Sequence, residues 1–270
     1  MESIEFHWHA SKGKNGDVSS PGGVGIGLLG PLVVGAEGED FTPSAPKVLQ
    51  VLSMLAFRAN KLVSTELLIQ EIWDDSPPRS ARTTIQTYIY QIRRILARIG
   101  PDLDERLVTS VPGYILYLDE GAIDVQVFES LVERGRRFHG EKKWDESAET
   151  LRQALHLWRG CPLSNVKTGP LLDAQVIHMK ENYRSVLKMR IYAEMEGGSN
   201  NDLVAELRSL ALYFPYDEWI HEQLIRALER SGRRGDAMEV YRSLRGTLND
   251  QLGIDPSPEL EQLHMELLGA

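Results

Sequence analysis

Apolar and polar positions along this chain change period several times. Short apolar runs at 24–29 and 32–34 flank a Gly30-Pro31 turn and predict two strands. Val48, Val51, Leu52, Leu55 and Ala56 then recur at helical spacing. Pro46 suits the first turn of that helix, and Asn60 suits the left-handed position that ends it. Ser64 predicts the cap of a second helix, with Glu66 in its first turn and Leu67, Leu68, Ile72 and Trp73 turned inward. Asp74-Asp75-Ser76-Pro77-Pro78 breaks it, and a third helix runs over about 80–99. Residues 107–110 and 114–118 predict a hairpin around Val111-Pro112-Gly113. Short strands, three helices and a closing hairpin are the order of a winged helix-turn-helix, an α+β fold flanked here by an extra sheet.

Beyond Gly121 the texture becomes helical as far as Leu268, with breaks at Gly140, Gly160-Cys161-Pro162, Gly197-Gly198, Pro215, Gly232 and 253–258. Two stretches echo each other. Gly140 leads to Trp144, Ala148, Leu151, Ala154 and Leu155, and Gly232 leads to Ala237, Tyr241 and Leu244. Small and large residues at helical offsets in the second helix of a pair predict an all-α, tetratricopeptide-like stack with a surface suited to partners. The domain reading is a disordered tail over 1–23, a winged helix-turn-helix over 24–120 and a helical domain over 121–270.

Charge sharpens this picture. The 270 residues carry a net charge of −9, which argues against nucleic acid as a partner. Locality reverses the argument, because 76–101 holds Arg79, Arg82, Arg93, Arg94 and Arg98 and no Asp or Glu. With Ile85 at zero on a helical wheel, Ala81, Tyr88, Ile89, Ile92, Leu96 and Ile99 fall within about 60° of it and predict the buried stripe. Opposite lie Thr83, Thr87, Tyr90, Arg94 and Arg98, with Gln91 beside them. Arginine can take guanine O6 and N7 in bidentate fashion, glutamine can do the same with adenine, and threonine offers a hydroxyl and a methyl. Arg79 and Arg93, off the central line, suit phosphates, which set register. Arg106 and Tyr114 of the hairpin suit the neighbouring minor groove or backbone. The plainer alternative is that Tyr88 and Tyr90 are both core and that Arg98 pairs with Asp102 or Asp104.

Other chemistry is poorly supported. Gly25-Ile-Gly27-Leu-Leu-Gly30 matches a dinucleotide fingerprint in letters only, since no strand precedes it and Pro31 follows. His7 and His9 make a poor metal site without further ligands. His139, His156, His178, His221 and His264 are scattered, and Cys161 sits in a breaker, so no catalytic, cofactor or metal constellation is expected. Trp144, Trp158, Tyr183, Tyr192, Phe214 and Trp219 have core spacing, with an effector pocket among them as the alternative. One cysteine permits no internal disulfide. No apolar run approaches a bilayer span and Met1 to Ala10 lacks a signal-peptide pattern, so a cytoplasmic address, and no membrane partner, is expected.

Many short segments in order carry a resemblance. They include Leu28-Leu29-Gly30-Pro31-Leu32, Pro46-Lys47-Val48-Leu49, 67–73, Pro77-Pro78-Arg79-Ser80-Ala81, 83–89, Arg93-Arg94 and Pro112-Gly113-Tyr114. Further on come 124–128, 154–160, Pro162-Leu163, Gly232-Arg233-Arg234, 237–241 and 252–258. Over about 24–270 the chain resembles the Streptomyces antibiotic regulatory protein family, activators of secondary-metabolite gene clusters. The resemblance implies an OmpR-like winged helix followed by a bacterial transcriptional activation domain. It also implies binding to tandem direct repeats near the −35 region, as a homodimer on DNA, and contact with RNA polymerase and its sigma factor. It carries the recognition assignments onto Thr83, Thr84, Thr87, Arg93 and Arg94, with Tyr90 and Gln91 in a more variable stretch. No phosphate-loop segment of the larger relatives' ATPase and no receiver domain is found, which implies a small stand-alone member associated with the nucleoid. A repressor on the same fold, and a helical scaffold that binds no DNA, remain as alternatives.

Overall fold

A computed structural model describes residues 24–198 and 200–269. The expected tail over 1–23, with His7 and His9, lies outside the described residues. The first three strands, β1 (Gly25–Gly27), β2 (Val33–Ala36) and β3 (Glu39–Asp40), form an antiparallel sheet in that order. Ile26 pairs with Val34, and both side chains enter the core. Helices α1 (Pro46–Phe57), α2 (Thr65–Trp73) and α3 (Ala81–Ile99) pack on one another. A second sheet has the order β4 (Val63–Ser64), β6 (Gly113–Leu116), β5 (Leu107–Ser110), which makes the wing.

Local chemistry sets these boundaries. Pro46 opens α1, and the Ser64 Oγ accepts from Leu67 N at 3.2 Å to cap α2. Asn60 is left-handed (φ 64°), and its side chain bonds the backbone of Leu118 in both directions at 3.1 Å. Gly113 is required by close approach, since a Cβ there would lie 1.9 Å from the Val63 carbonyl oxygen.

The chain divides into two compact units. One takes residues to Arg134 and then Thr150–Leu187, the other Gly135–Glu149 and everything from Lys188. The unit holding the winged helix therefore includes chain well beyond residue 120. Helices α4 (Asp124–Gly140), α5 (Trp144–His156) and α6 (Pro170–Glu196) contribute to both.

Two buried carboxylates tie the first unit together. Asp124, only 5% exposed, accepts from Leu28 N at 2.7 Å, Leu29 N at 3.0 Å and Arg159 Nη2 at 3.1 Å. Burial pushes its pKa up, opposed by those two backbone donors and by Arg159. Arg159 also donates from Nη1 to the Pro31 carbonyl at 3.0 Å and from its backbone N to the Leu29 carbonyl at 2.7 Å. This closeness accounts for the glycine spacing near the start of the fold: a Cβ on Gly27 would stand 2.2 Å from Arg159 Nη2. Glu71 of α2 is the second carboxylate. Its Oε1 accepts from Gly169 N at 2.6 Å, and its Oε2 from Leu171 N at 2.9 Å and Leu172 N at 3.0 Å. It thereby satisfies the free amides at the start of α6 and places a negative charge at the positive end of that helix. Gln50 of α1 holds Glu71 from the other side, with Nε2 at 3.0 Å from Oε1.

In the second unit α7 (Asn200–Tyr213), α8 (Glu218–Arg230), α9 (Arg234–Leu252) and α10 (Pro258–Gly269) pack in succession. Leu207, Ile225, Leu228, Ala237, Tyr241, Leu244 and Leu263 supply its core. Buried Arg190 lies between Glu194 at 3.0 Å and Glu206 at 2.5 Å. The aromatic residues separate by unit. Trp158 meets Phe128 and Tyr183 edge-on in the first, while Trp144 and Tyr192 meet His139 in the second.

Candidate nucleic-acid interface

Helix α3 presents two contrasting sides. Ala81, Ile85, Ile89, Ile92 and Leu96 are buried against α1 and α2, as the period predicts. Thr83, Thr87, Tyr90, Gln91, Arg94 and Arg98 are exposed, and Tyr90 stands 60% free of its surroundings. Gln86, which periodicity did not single out, is exposed among them. No Asp or Glu occurs on α3. Arg82 is engaged by Glu66 of α2 at 2.5 Å, an exposed pair.

The threonines are oriented by their own helix. Thr87 Oγ1 donates to the Thr83 carbonyl at 3.1 Å, and half-buried Thr84 donates to the Ser80 carbonyl at 3.0 Å. With the hydroxyl hydrogen spent inward, Thr87 turns a methyl and an oxygen lone pair outward, groups suited to a thymine methyl or an amino donor. Arg79, exposed in the turn before α3, and Arg98, exposed in its last turn, bracket this face. The Arg98 guanidinium lies 6.0 Å from the Phe41 ring centroid, which steadies it by cation–π attraction. Gln91, Arg94 and Arg98 line an open groove of about 400 Å³ whose other wall includes Phe41, Ser44 and Val48.

Three positions depart from expectation. Arg93 does not point to solvent with a free fork: Nε and Nη2 donate to the Leu107 carbonyl at 2.9 and 2.7 Å, and Nη2 also to Thr109 Oγ1 at 2.9 Å. It fastens the wing strand β5 to α3. Tyr114 is 6% exposed and belongs to the core, opposite Val63 and Thr109 in the sheet, so its ring is not a contact at the flank. Arg106 is paired with Asp119 at 2.6 Å. The wing tip offers Val111 instead, which is 92% exposed. Turn spacing located that tip in the sequence but gave no sign of which side chain it would present.

Three histidines of the helical part have structural surroundings, while His156 and His178 are exposed. His139 touches Trp144, and His264 stacks on Tyr241 at 4.0 Å between ring centroids. His221 is buried with Nδ1 at 3.1 Å from the Asp217 carbonyl, and burial holds its pKa below the ordinary imidazole value. No described helix is long and apolar enough to cross a membrane.

Comparison with known proteins agrees with this geometry. Residues 39–116 match the family described as transcriptional regulatory protein, C terminal, and residues 123–268 match the bacterial transcriptional activator domain. The regulatory protein DnrI of Streptomyces peucetius is 38% identical over 251 residues, covering 91% of this chain and 92% of its own. The regulatory protein AfsR of Streptomyces coelicolor is 31% identical over 92% of this chain, which spans 24% of that larger protein. Among solved structures, Mycobacterium tuberculosis EmbR in complex with a low-affinity phosphopeptide superposes with a TM-score of 0.82 at 31% identity, covering 91% of this chain and 65% of that one.

Proposed function

Because this chain belongs to the Streptomyces antibiotic regulatory protein family, DNA-binding transcriptional regulators with a winged helix, we propose that it activates a secondary-metabolite gene cluster by reading tandem direct repeats near a promoter's −35 region. The observation that carries the reading is the acid-free face of α3, where Thr83, Thr87, Tyr90, Gln91 and Arg94 stand together and exposed. That face enters the major groove and meets base edges. Arg79 and Arg98 at its two ends take phosphates, and Thr84 lies beside the contact. Arg93 acts as a positioning residue that fixes the wing relative to the reading head.

Two copies sit head to tail on repeats about one helical turn apart, each presenting one face per turn. The helical part stabilises that pair and meets RNA polymerase with its sigma factor, in the cytoplasm at the nucleoid. Footprinting and run-off transcription test this together, using the full chain, polymerase holoenzyme and promoters of the chain's own gene neighbourhood. The reading expects two adjoining protected segments just upstream of a start site and more transcript when the protein is added. Protection over the start site with less transcript would make the protein a repressor. No protection at any promoter would leave the helical part as a scaffold.

A further inference from the structure

The first unit contains a cavity of about 210 Å³ to which α3 contributes no lining residue. Its walls come from the turn after β1, the end of α1 with the loop that follows, the first turns of α4 and the middle of α6. All four stretches belong to that one unit. The inner surface is apolar: Leu28, Leu29, Ile123, Phe128 and Met179 are buried around it, and half-buried Phe57 adds a second aromatic ring. The polar side chains of the lining stand at the mouth. Gln126 and Asn182 are half-buried, and Gln175, His178, Lys61 and Glu129 are exposed.

Bonds made outside the cavity hold these walls. The amides of Leu28 and Leu29 are fixed by Asp124, and Asn60, between the lining residues Ala59 and Lys61, bonds Leu118 in both directions. A site with walls fixed in this way needs little reorganisation to accept a guest. Water finds few partners in an apolar interior, so an aromatic ring displaces it at a gain. An apolar cavity of roughly 150 Å³ admits a benzene ring, so this one has room for a fused pair of rings or one ring with short substituents.

We propose that this cavity binds a small neutral aromatic molecule carrying a hydroxyl or carbonyl group, with its rings among Phe57, Phe128 and Met179 and its polar group at Gln126 and Gln175. Two phenyl rings and a thioether suit an aromatic guest by edge and sulfur contacts. The primary amides both donate and accept, as a hydroxyl or carbonyl requires. His178 and Asn182 are one turn apart on α6 and bonded to each other at 3.1 Å, which leaves the two glutamines to meet the guest. Lys61 and Glu129 carry opposite charges, so the mouth offers an ion no net attraction to offset the loss of its water. A guest there touches the winged helix, α4 and α6 together, and stabilises the unit by mass action.

Calorimetric titration and thermal melting of the full-length chain with 2-naphthol test this. One molecule should bind per chain with a Kd on the order of tens of micromolar, as about eleven non-hydrogen atoms of ordinary ligand efficiency provide. The melting temperature should rise with ligand concentration. 2-Naphthoate, which carries an anion on the same rings, should bind at least about tenfold more weakly. Val125→Phe on α4 and Met179→Trp on α6 each enlarge a lining side chain and should weaken binding more than about tenfold. The filling variant that melts like the wild type is the one that decides. Gln126→Leu with Gln175→Leu should weaken 2-naphthol about fivefold and leave naphthalene unaffected. No saturable binding to the wild type up to about 1 mM, undiminished binding by a filling variant that melts like the wild type, or 2-naphthoate held as tightly as 2-naphthol overturns the proposal.

Discussion

Replacing Arg93 by lysine keeps the charge and removes the planar fork, and the two roles open to this residue then part company. As placed, Nε and Nη2 make three bonds, two of them to the single carbonyl oxygen of Leu107 and one to Thr109 Oγ1. A hydrogen bond from a charged donor contributes roughly 1.5–3 kcal/mol when shielded from water. This guanidinium is only half-buried and two of its bonds share one acceptor, so the set is worth about 2 kcal/mol to the native state. Arg93→Ala should lose about that amount in urea unfolding, and Arg93→Lys about 1 kcal/mol, because an ammonium cannot span both acceptors. On DNA both variants should bind a selected sequence more weakly through a loosened wing, with the logarithmic salt slope unchanged. A phosphate ligand behaves differently: its loss lowers that slope by about 0.9, and lysine largely substitutes for it. Wild-type stability in Arg93→Lys, together with a slope reduced by about one in Arg93→Ala, would refute the positioning role.

Four further substitutions probe the buried polar groups. Glu71→Gln removes the charge that faces the first amides of α6, and should cost about 2–3 kcal/mol in urea unfolding of the full chain; a loss below about 0.5 kcal/mol would show that the cap contributes nothing. Asp124→Ala leaves the Arg159 head group without its counter-charge and should cost about 3–5 kcal/mol, whereas Asp124→Ala with Arg159→Met should cost less than the sum of the two single changes; strict additivity would deny the coupling. Burial lowers the His221 pKa below its ordinary 6.5, so as pH falls the unfolded chain takes up this proton first. The stability it contributes is present above about 6.5 and is lost below it, as pH falls toward the lower folded pKa, so His221→Gln should flatten the decline in unfolding free energy below about pH 6.5. An unchanged decline would assign it to other groups.

The winged helix was legible in the sequence wherever a periodic stripe was long enough to register. The nineteen residues of α3 repeat their buried side five times, at Ala81, Ile85, Ile89, Ile92 and Leu96, and the opposite face follows from geometry alone. Strands β3 and β4 are two residues each, too short to establish any period, and went unforeseen. Arg93 lies on the flank of α3, between core and solvent. Whether its fork meets a phosphate or the wing depends on where β5 passes, which the helical period does not encode. Tyr114 is ambiguous for a related reason: its amphipathic ring can serve either side, and the hairpin buries both Gly113 and Tyr114 instead of alternating strictly. The ties that unite the first unit join distant chain, 96 residues apart for Asp124 and Leu28 and 98 for Glu71 and Gly169. Sequence spacing showed the glycines near the start but could not show that an arginine lies against them.

The proposed reader of base sequence is the exposed face of α3, and Arg94 lies on it directly opposite the buried Ile85. Fluorescence anisotropy with a duplex selected from a random pool and a scrambled one, for wild type and Arg94→Ala at two salt concentrations, tests it most directly. Arg94→Ala should melt like wild type, lose roughly 1–3 kcal/mol on the selected duplex and change little on the scrambled one. Equal losses on both duplexes, with a flatter salt dependence, would make Arg94 a phosphate ligand and contradict the assignment of this face as the reader.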